Sequence, residues 1–182
     1  MYNHRVNRFK RFVAKLWKLV PAGLRWRAVL AVSPRFLVGV VGVVFNEKGE
    51  ALLAHHVFRS PYAWGLPGGI INYREELPEA LRREMWEEMH LHIEVGPLLQ
   101  VGVGDVWPHV TFYFMCALEP PADGGSPEPQ ISGELLEAGF YPPDALPCAL
   151  ESSQAGALQY ARQLYAQPDL PALTRIVEME AS

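Results

Sequence analysis

Cysteine is nearly absent from this 182-residue chain, which has only Cys116 and Cys148. Two thiols are too few for the disulfide framework of a small secreted domain, so free thiols in a reducing compartment are expected. No apolar run reaches the roughly 18 residues of a membrane-spanning helix, and no internal repeat is present. Acidic residues are missing from residues 1–35, which carry nine Lys/Arg. Residues 36–182 carry seven Lys/Arg against all 20 Asp/Glu. This asymmetry separates a basic arm from an acidic body. What is plentiful is apolar surface, at 49% of residues, enough for one domain with a buried core. The 16 prolines predict short, stiff connections.

The arm does not read as a secretory signal, because Lys15, Lys18, Arg25 and Arg27 interrupt its apolar residues and no clean hydrophobic segment follows. Phe9, Phe12, Val13, Leu16, Trp17, Leu19 and Val20 recur near helical spacing, with Lys10, Lys15 and Lys18 between them. That pattern predicts a basic amphipathic helix ended by Pro21 and Gly23. Three readings of it stand open. Its apolar stripe packs on its own domain, its charge complementing the acidic body. Alternatively, residues 1–30 make peripheral contact with an anionic membrane surface, at the inner face for a cytoplasmic protein. The third is a subunit contact in a homodimer.

In the body, the valine-rich run at 36–45 predicts a buried strand, and 51–56 a strand returning from it as a hairpin across Asn46–Glu50. Residues 64–69 form a short extended piece entering the Gly68–Gly69 bend. Leu77 to Met89 reads as a helix, with Pro78 in its first turn and a stripe of Leu77, Leu81, Met85 and Met89. Strand-like pieces follow at 92–95, 98–103, 110–118 and 137–141. A Pro/Gly-rich loop spans 119–133, and a final helix capped by Ser152 or Ser153 runs to about Ala166. This order suggests a mixed sheet with helices on its faces.

The chemistry is concentrated in residues 69–91, GIINYREELPEALRREMWEEMHL. Glu84, Glu87 and Glu88 stand at i, i+3 and i+4, so they share one helix face. Like charges so placed destabilise a helix by about 0.2–0.5 kcal/mol per pair. A divalent cation would remove that repulsion, and carboxylate oxygens are the ligands preferred by Mg²⁺ and Mn²⁺. A solvated acidic face is the ordinary alternative.

The flanking residues resemble the signature of the Nudix hydrolase family, G-x5-E-x7-R-E-U-x-E-E-x-G-U, with U a bulky aliphatic residue. Gly69, Glu75, Arg83, Glu84, Met85, Glu87, Glu88 and Leu91 match, and His90 replaces the final glycine. The resemblance implies a Nudix-type α/β/α sandwich over residues 36–182, of the mixed α+β kind. It implies a hydrolase that cleaves a nucleoside diphosphate linked to another moiety, using Mg²⁺ or Mn²⁺. By position, Glu84, Glu87 and Glu88 would be metal ligands with the carbonyl of Gly69. Gly68, Glu75 and Arg83 would support the motif. Glu84 is one candidate base. Glu134, which ends the Pro/Gly-rich loop, is the other. Members of the family often have Gly five residues after the first motif glycine, where this chain has Arg74.

Arg59 could meet a phosphate, and Tyr62, Trp107 and Arg74 could line the substrate. For Arg59 the alternative is ordinary surface charge, and for Tyr62, Trp107 and His109 core or rim packing. Trp86 faces away from the glutamates and reads as packing. Cys116 reads as core, and His55 and His56 as strand-end residues. The partner expected is a nucleotide-type diphosphate, with no stable nucleic-acid binding. A non-catalytic Nudix-fold nucleotide sensor is the alternative function, and an isomerase of allylic diphosphates, which would need a cysteine in the site, is a third.

Overall fold

The computed structural model describes residues 4–57, 63–104, 108–120 and 127–166, with side chains from residue 10 onward. The chain divides into two compact units, Met1–Phe36 and Leu37–Ser182.

The first unit holds α1 (His4–Leu19) and α2 (Ala22–Val32). The sequence predicts one helix ended by Pro21 and Gly23. The first helix does stop at Leu19, but a second begins at once. Proline cannot continue a helix, yet its fixed φ and missing N–H suit a helix start. Pro21 occupies the N-cap position of α2, with φ −54° and ψ 142°.

The second unit holds β1 (Leu37–Val44), β2 (Ala51–His56), β3 (Trp64–Gly65), β4 (Gly68–Ile70), α3 (Leu77–Met89), β5 (Ile93–Val103), β6 (His109–Leu118), β7 (Leu135–Tyr141) and α4 (Ser152–Tyr165). Two sheets form. One is four-stranded and mixed, in the order β4-β1-β6-β5, with β1 parallel to β6. The other is three-stranded and antiparallel, in the order β3-β2-β7.

The period-2 alternation of β1 and β2 explains the layers. Val40 and Val44, with Leu52 and Ala54, face a core that includes Leu81, Met85 and Met89 of α3. Val41 and Val43, with Ala51 and Leu53, face a core that includes Ala157, Leu158 and Ala161 of α4. Strands buried on both faces read as unbroken apolar runs, as these do. Leu81, Met85 and Met89 are fully buried, each contributing about 1.5–3 kcal/mol of apolar burial. The fold is therefore the expected mixed α+β sandwich.

Three local expectations are corrected. β1 and β2 are not a hairpin: they lie in different sheets, and the ladder between their ends is limited to an isolated Phe45–Ala51 bridge. Turn chemistry at Asn46 is real, because its Oδ1 accepts from the backbone N–H of Lys48 and of Glu50. It lets the chain change sheets. The pieces at 92–95 and 98–103 are one strand, β5, whose pairing with β6 is interrupted on either side of Leu98. Glu151 rather than a serine is the N-cap of α4, and the Ser153 hydroxyl donates to its carboxylate (3.0 Å). No described helix is long and apolar enough to cross a membrane.

Candidate active site

The β4–α3 loop and the first turns of α3 are tied together by one guanidinium. Glu75 accepts two hydrogen bonds from Arg83, from Nε (2.7 Å) and Nη2 (3.0 Å). Paired bonds of this kind fix orientation as well as energy. The Glu75 carboxylate also accepts from the Asn72 N–H (2.8 Å), closing the loop on itself. Nη2 of Arg83 donates to the Ile70 carbonyl (3.2 Å), which fixes the end of β4. Arg83 and the Asn72 N–H hold the Glu75 carboxyl down at about 2.

The remaining nitrogen of Arg83 faces the carboxylate cluster. Nη1 donates to Glu84 (2.8 Å) and to Glu87 (3.0 Å), so two carboxylates already converge on one positive charge. Glu84 is largely buried, and burial raises its pKa against the pull of Arg83. The Glu84 carboxylate also lies against Gly69. A Cβ at Gly69 would overlap its carboxyl carbon. Glycine leaves that space without displacing the carboxylate. Gly68 has its own constraint. Its φ is +145°, and a side chain there would run into the Val40 carbonyl.

Glu88 points elsewhere. It is buried, with Oε1 3.7 Å from Nδ1 of His56 on β2. No spacing in the sequence announces His56, because the contact joins a strand to a helix 32 positions later. Among the described residues no group of three acidic, histidine or cysteine side chains is gathered as a metal site. Arg83 holds Glu84 and Glu87, and His56 lies beside Glu88. The donor chemistry nonetheless suits a hard cation. Glu75, Glu84 and Glu87 set three carboxylates around one guanidinium, an all-oxygen, electron-rich surface, with Glu88 on the same helix.

This combination of a Gly-Gly bend, a latched loop and an acidic helix face carries the motif on a mixed two-sheet sandwich. Residues 35–164 match the model of the NUDIX domain. The chain belongs to the Nudix family. Among its relatives are human 8-oxo-dGDP phosphatase NUDT18, 34% identical over 115 residues, and the NAD-capped RNA hydrolase NudC of Chromobacterium violaceum, 33% identical over 116. Those matches cover 62% and 64% of this chain but only 34% and 40% of the relatives, so the chain spans well under half of either. Among solved structures, a MutT NUDIX hydrolase from Burkholderia pseudomallei superposes with a TM-score of 0.58 at 25% identity. The match covers 70% of this chain and 98% of that one. A UDP-X diphosphatase superposes at 0.59 and 18% identity, over 87% and 81%, a likeness of fold.

The end of the Nudix helix departs from the family's glycine, and the backbone shows how. His90 takes the left-handed conformation itself, at φ 53° and ψ 32°. Its N–H donates to the Trp86 carbonyl (2.9 Å), and the Leu91 N–H to that of Met85 (3.3 Å). Its ring Nδ1 lies 3.1 Å from the Gln130 carbonyl. The Pro/Gly-rich loop docks at the same place. Gln130 N–H donates to the Met89 carbonyl and Ser132 N–H to that of Glu88, both at 2.9 Å. These two bonds satisfy carbonyls that the helix end leaves open.

Glu134 follows two residues after Ser132. Its carbonyl accepts from the Val57 N–H (3.2 Å), just past β2, and its side chain is exposed. Arg74 also takes a left-handed conformation, at φ 67°, with its guanidinium 5.1 Å above the ring of Tyr73. Trp86 packs on the rings of His90 and His92, at 5.1 and 4.5 Å between centroids, and stays 45% exposed. Arg59, Tyr62 and Trp107 lie outside the described residues. Cys116 is fully buried, and burial pushes its thiol up to about 12, so it is no nucleophile.

Proposed function

We propose that this Nudix chain hydrolyses the pyrophosphate linkage of a nucleoside diphosphate joined to another moiety. Water attacks one phosphorus, the bridging P–O bond breaks, and two phosphorylated products leave. The convergence of Glu84 and Glu87 on a single point, beside a glycine that makes room for Glu84, is the observation that carries the reading. Glu84, Glu87 and Glu88, with the Gly69 carbonyl, would hold Mg²⁺ or Mn²⁺. When bound, such an ion neutralises non-bridging phosphate oxygens and acidifies attacking water.

The chain's own groups do the rest. Arg83 fixes the loop so that the carboxylates keep their spacing, and positioning of this kind is a large part of phosphoryl-transfer catalysis. A carboxylate takes the proton of the attacking water. Glu84 is one candidate for that role. Glu134 is the second candidate, an exposed side chain just past the loop that docks on the helix end. Arg74, exposed at the loop rim, supplies a cation for the substrate phosphates.

The names of the two relatives denote nucleotide substrates, one an 8-oxo-dGDP and the other NAD-capped RNA. We carry over the nucleotide class and neither compound. The test is to incubate the purified chain with nucleotide sugars, ADP-ribose-like compounds, dinucleoside polyphosphates and nucleoside triphosphates, with Mg²⁺ and with Mn²⁺. Phosphorylated products are then counted. Turnover of at least one panel member that stops on chelation is expected. Tight nucleotide binding with no product from any member would overturn hydrolysis in favour of a sensor.

A further inference from the structure

The hydrolase reading leaves the first unit without a task, and its surface is unlike the rest of the chain. α1 is two-faced. At 100° per residue, Phe12, Val13, Leu16 and Trp17 share one side, and Lys10, Arg11, Lys15 and Lys18 the other. The apolar side is open: Phe12 is 59% exposed and Trp17 44%. α2 differs in kind. Leu24, Trp26, Val29, Leu30 and Val32 point around the whole helix, all are exposed, and none of its residues is buried.

Apolar residues on every side of α2 need apolar surroundings, while Arg25 and Arg27 between them need water or phosphate within reach. A protein partner, including a second copy of this chain, would cover one face and leave the others wet. A fluid hydrocarbon boundary can surround all of them. With 11 residues α2 is too short to span a bilayer. It can lie in the interface, where tryptophan is favoured. Charge selects the lipid. Residues 1–35 carry nine cations and no anion, whereas the rest carries 20 acids and seven cations. An anionic surface attracts the first unit and repels the second.

We propose that residues 1–35 are a peripheral membrane anchor that seats α1 and α2 in the headgroup region of an anionic bilayer. The lysines and arginines of α1 face the lipid phosphates. Phe12, Leu16 and Trp17, with Leu24, Trp26, Val29 and Leu30 of α2, enter the acyl boundary, and the stems of Arg25 and Arg27 carry their charges back to the phosphates. This does not depend on the hydrolase reading.

The test uses the full chain and sedimentation with two kinds of vesicle, phosphatidylcholine alone and phosphatidylcholine mixed with phosphatidylglycerol. At low salt the chain is expected to pellet with the mixed vesicles and stay in solution with the neutral ones. Raising the salt should release it, because screening shortens the reach of surface charge to about 10 Å at 0.1 M. Reversing three charges, in Lys10→Glu/Lys15→Glu/Lys18→Glu, should lower the partition coefficient on the order of a hundredfold or more. Leu24→Ser/Trp26→Ser/Leu30→Ser should release the chain with unchanged net charge. Thermal unfolding of the second unit should be the same in both variants. The proposal is overturned if the intact chain stays in the supernatant at low salt, or pellets equally with neutral vesicles. It also fails if both variants pellet like the parent. Light scattering that shows a dimer abolished by the serine variant, without vesicle binding by the parent, would assign the surface to a second copy instead.

Discussion

The α-carbon of Gly69 and the carboxylate of Glu84 are in such close apposition that a methyl group on the former would overlap the latter. The Glu84 side chain could swing away, but only by giving up its 2.8 Å bond from Arg83. Stability and activity should therefore separate. Gly69→Ala is expected to cost about 1 kcal/mol, at the low end for overpacking, since the displaced group is the end of a flexible chain. Turnover should fall about 10²-fold, as expected when a reacting geometry shifts by roughly an ångström. Urea melts and kcat on the same preparation measure both. An active Gly69→Ala variant would show that the apposition has no catalytic meaning.

Glu87 and Glu88 sit in opposite surroundings, one with its side chain 56% exposed and the other buried beside His56. Replacing either carboxylate by its amide should lower kcat at least ~10²-fold, the loss typical of a removed transition-state charge stabiliser. Stability should distinguish them. Glu87→Gln loses one partly exposed ion pair, worth at most about 0.5 kcal/mol. Glu88→Gln changes a buried contact and should shift the melting temperature visibly. Full activity in both would refute their assignment as ligands.

What the sequence carries is the part of the fold written in local patterns. The four-residue repeat of Leu77, Leu81, Met85 and Met89 specifies both the Nudix helix and the side it buries. Glu75 and Arg83 are matched by the motif as supporting residues, and two hydrogen bonds join them. His90 stands at the motif's glycine position, and it takes the positive φ that glycine adopts readily. Long-range information is what was missing. Nothing near Ala51 says that β2 joins a different sheet from β1, because that choice is made by β7, some eighty residues later. For the same reason His56 read as a strand end. It reaches Glu88 only once β2 and α3 share a core. α2 was missed because Pro21 carries a stop signal and a start signal at once.

Acid stability should depend on the Glu75–Arg83 pair. The folded-state pKa of Glu75 is depressed from its ordinary 4.5 to about 2. Its contribution is thus complete above about 4.5 and is lost as the pH falls through the window down to about 2. Glu84 works in the opposite direction. Its pKa is raised by burial, so its charged form opposes folding and its protonation relieves that cost. In Glu75→Gln the acid limb of the stability curve should flatten in the Glu75 window, and the gap to the parent should close as the pH approaches its lower end. Equal gaps at neutral pH and at the acid end, by denaturant titration, would mean that the charge of Glu75 is not what latches the loop.

Arg74 presents a trade-off between backbone and substrate. A non-glycine residue in the left-handed region costs about 1–2 kcal/mol through the clash of Cβ with the following carbonyl. Arg74 carries that cost at φ 67°. Its visible return within the protein is the guanidinium over the largely exposed ring of Tyr73, worth about 0.5–1 kcal/mol at such a site. Glycine at this position removes the strain and forfeits the stacking. Arg74→Gly should therefore be as stable as the parent or more so, by up to about 1 kcal/mol. A surface cation that merely decorates the loop would leave kinetics untouched by that change. If Arg74 holds a substrate phosphate, KM should rise about tenfold, as the loss of a charge-assisted hydrogen bond would give, while kcat stays within about twofold. Arg74→Lys should recover part of the KM because it restores the charge without the fork, and it should keep the backbone strain. An unchanged KM in Arg74→Gly would take Arg74 out of the substrate site.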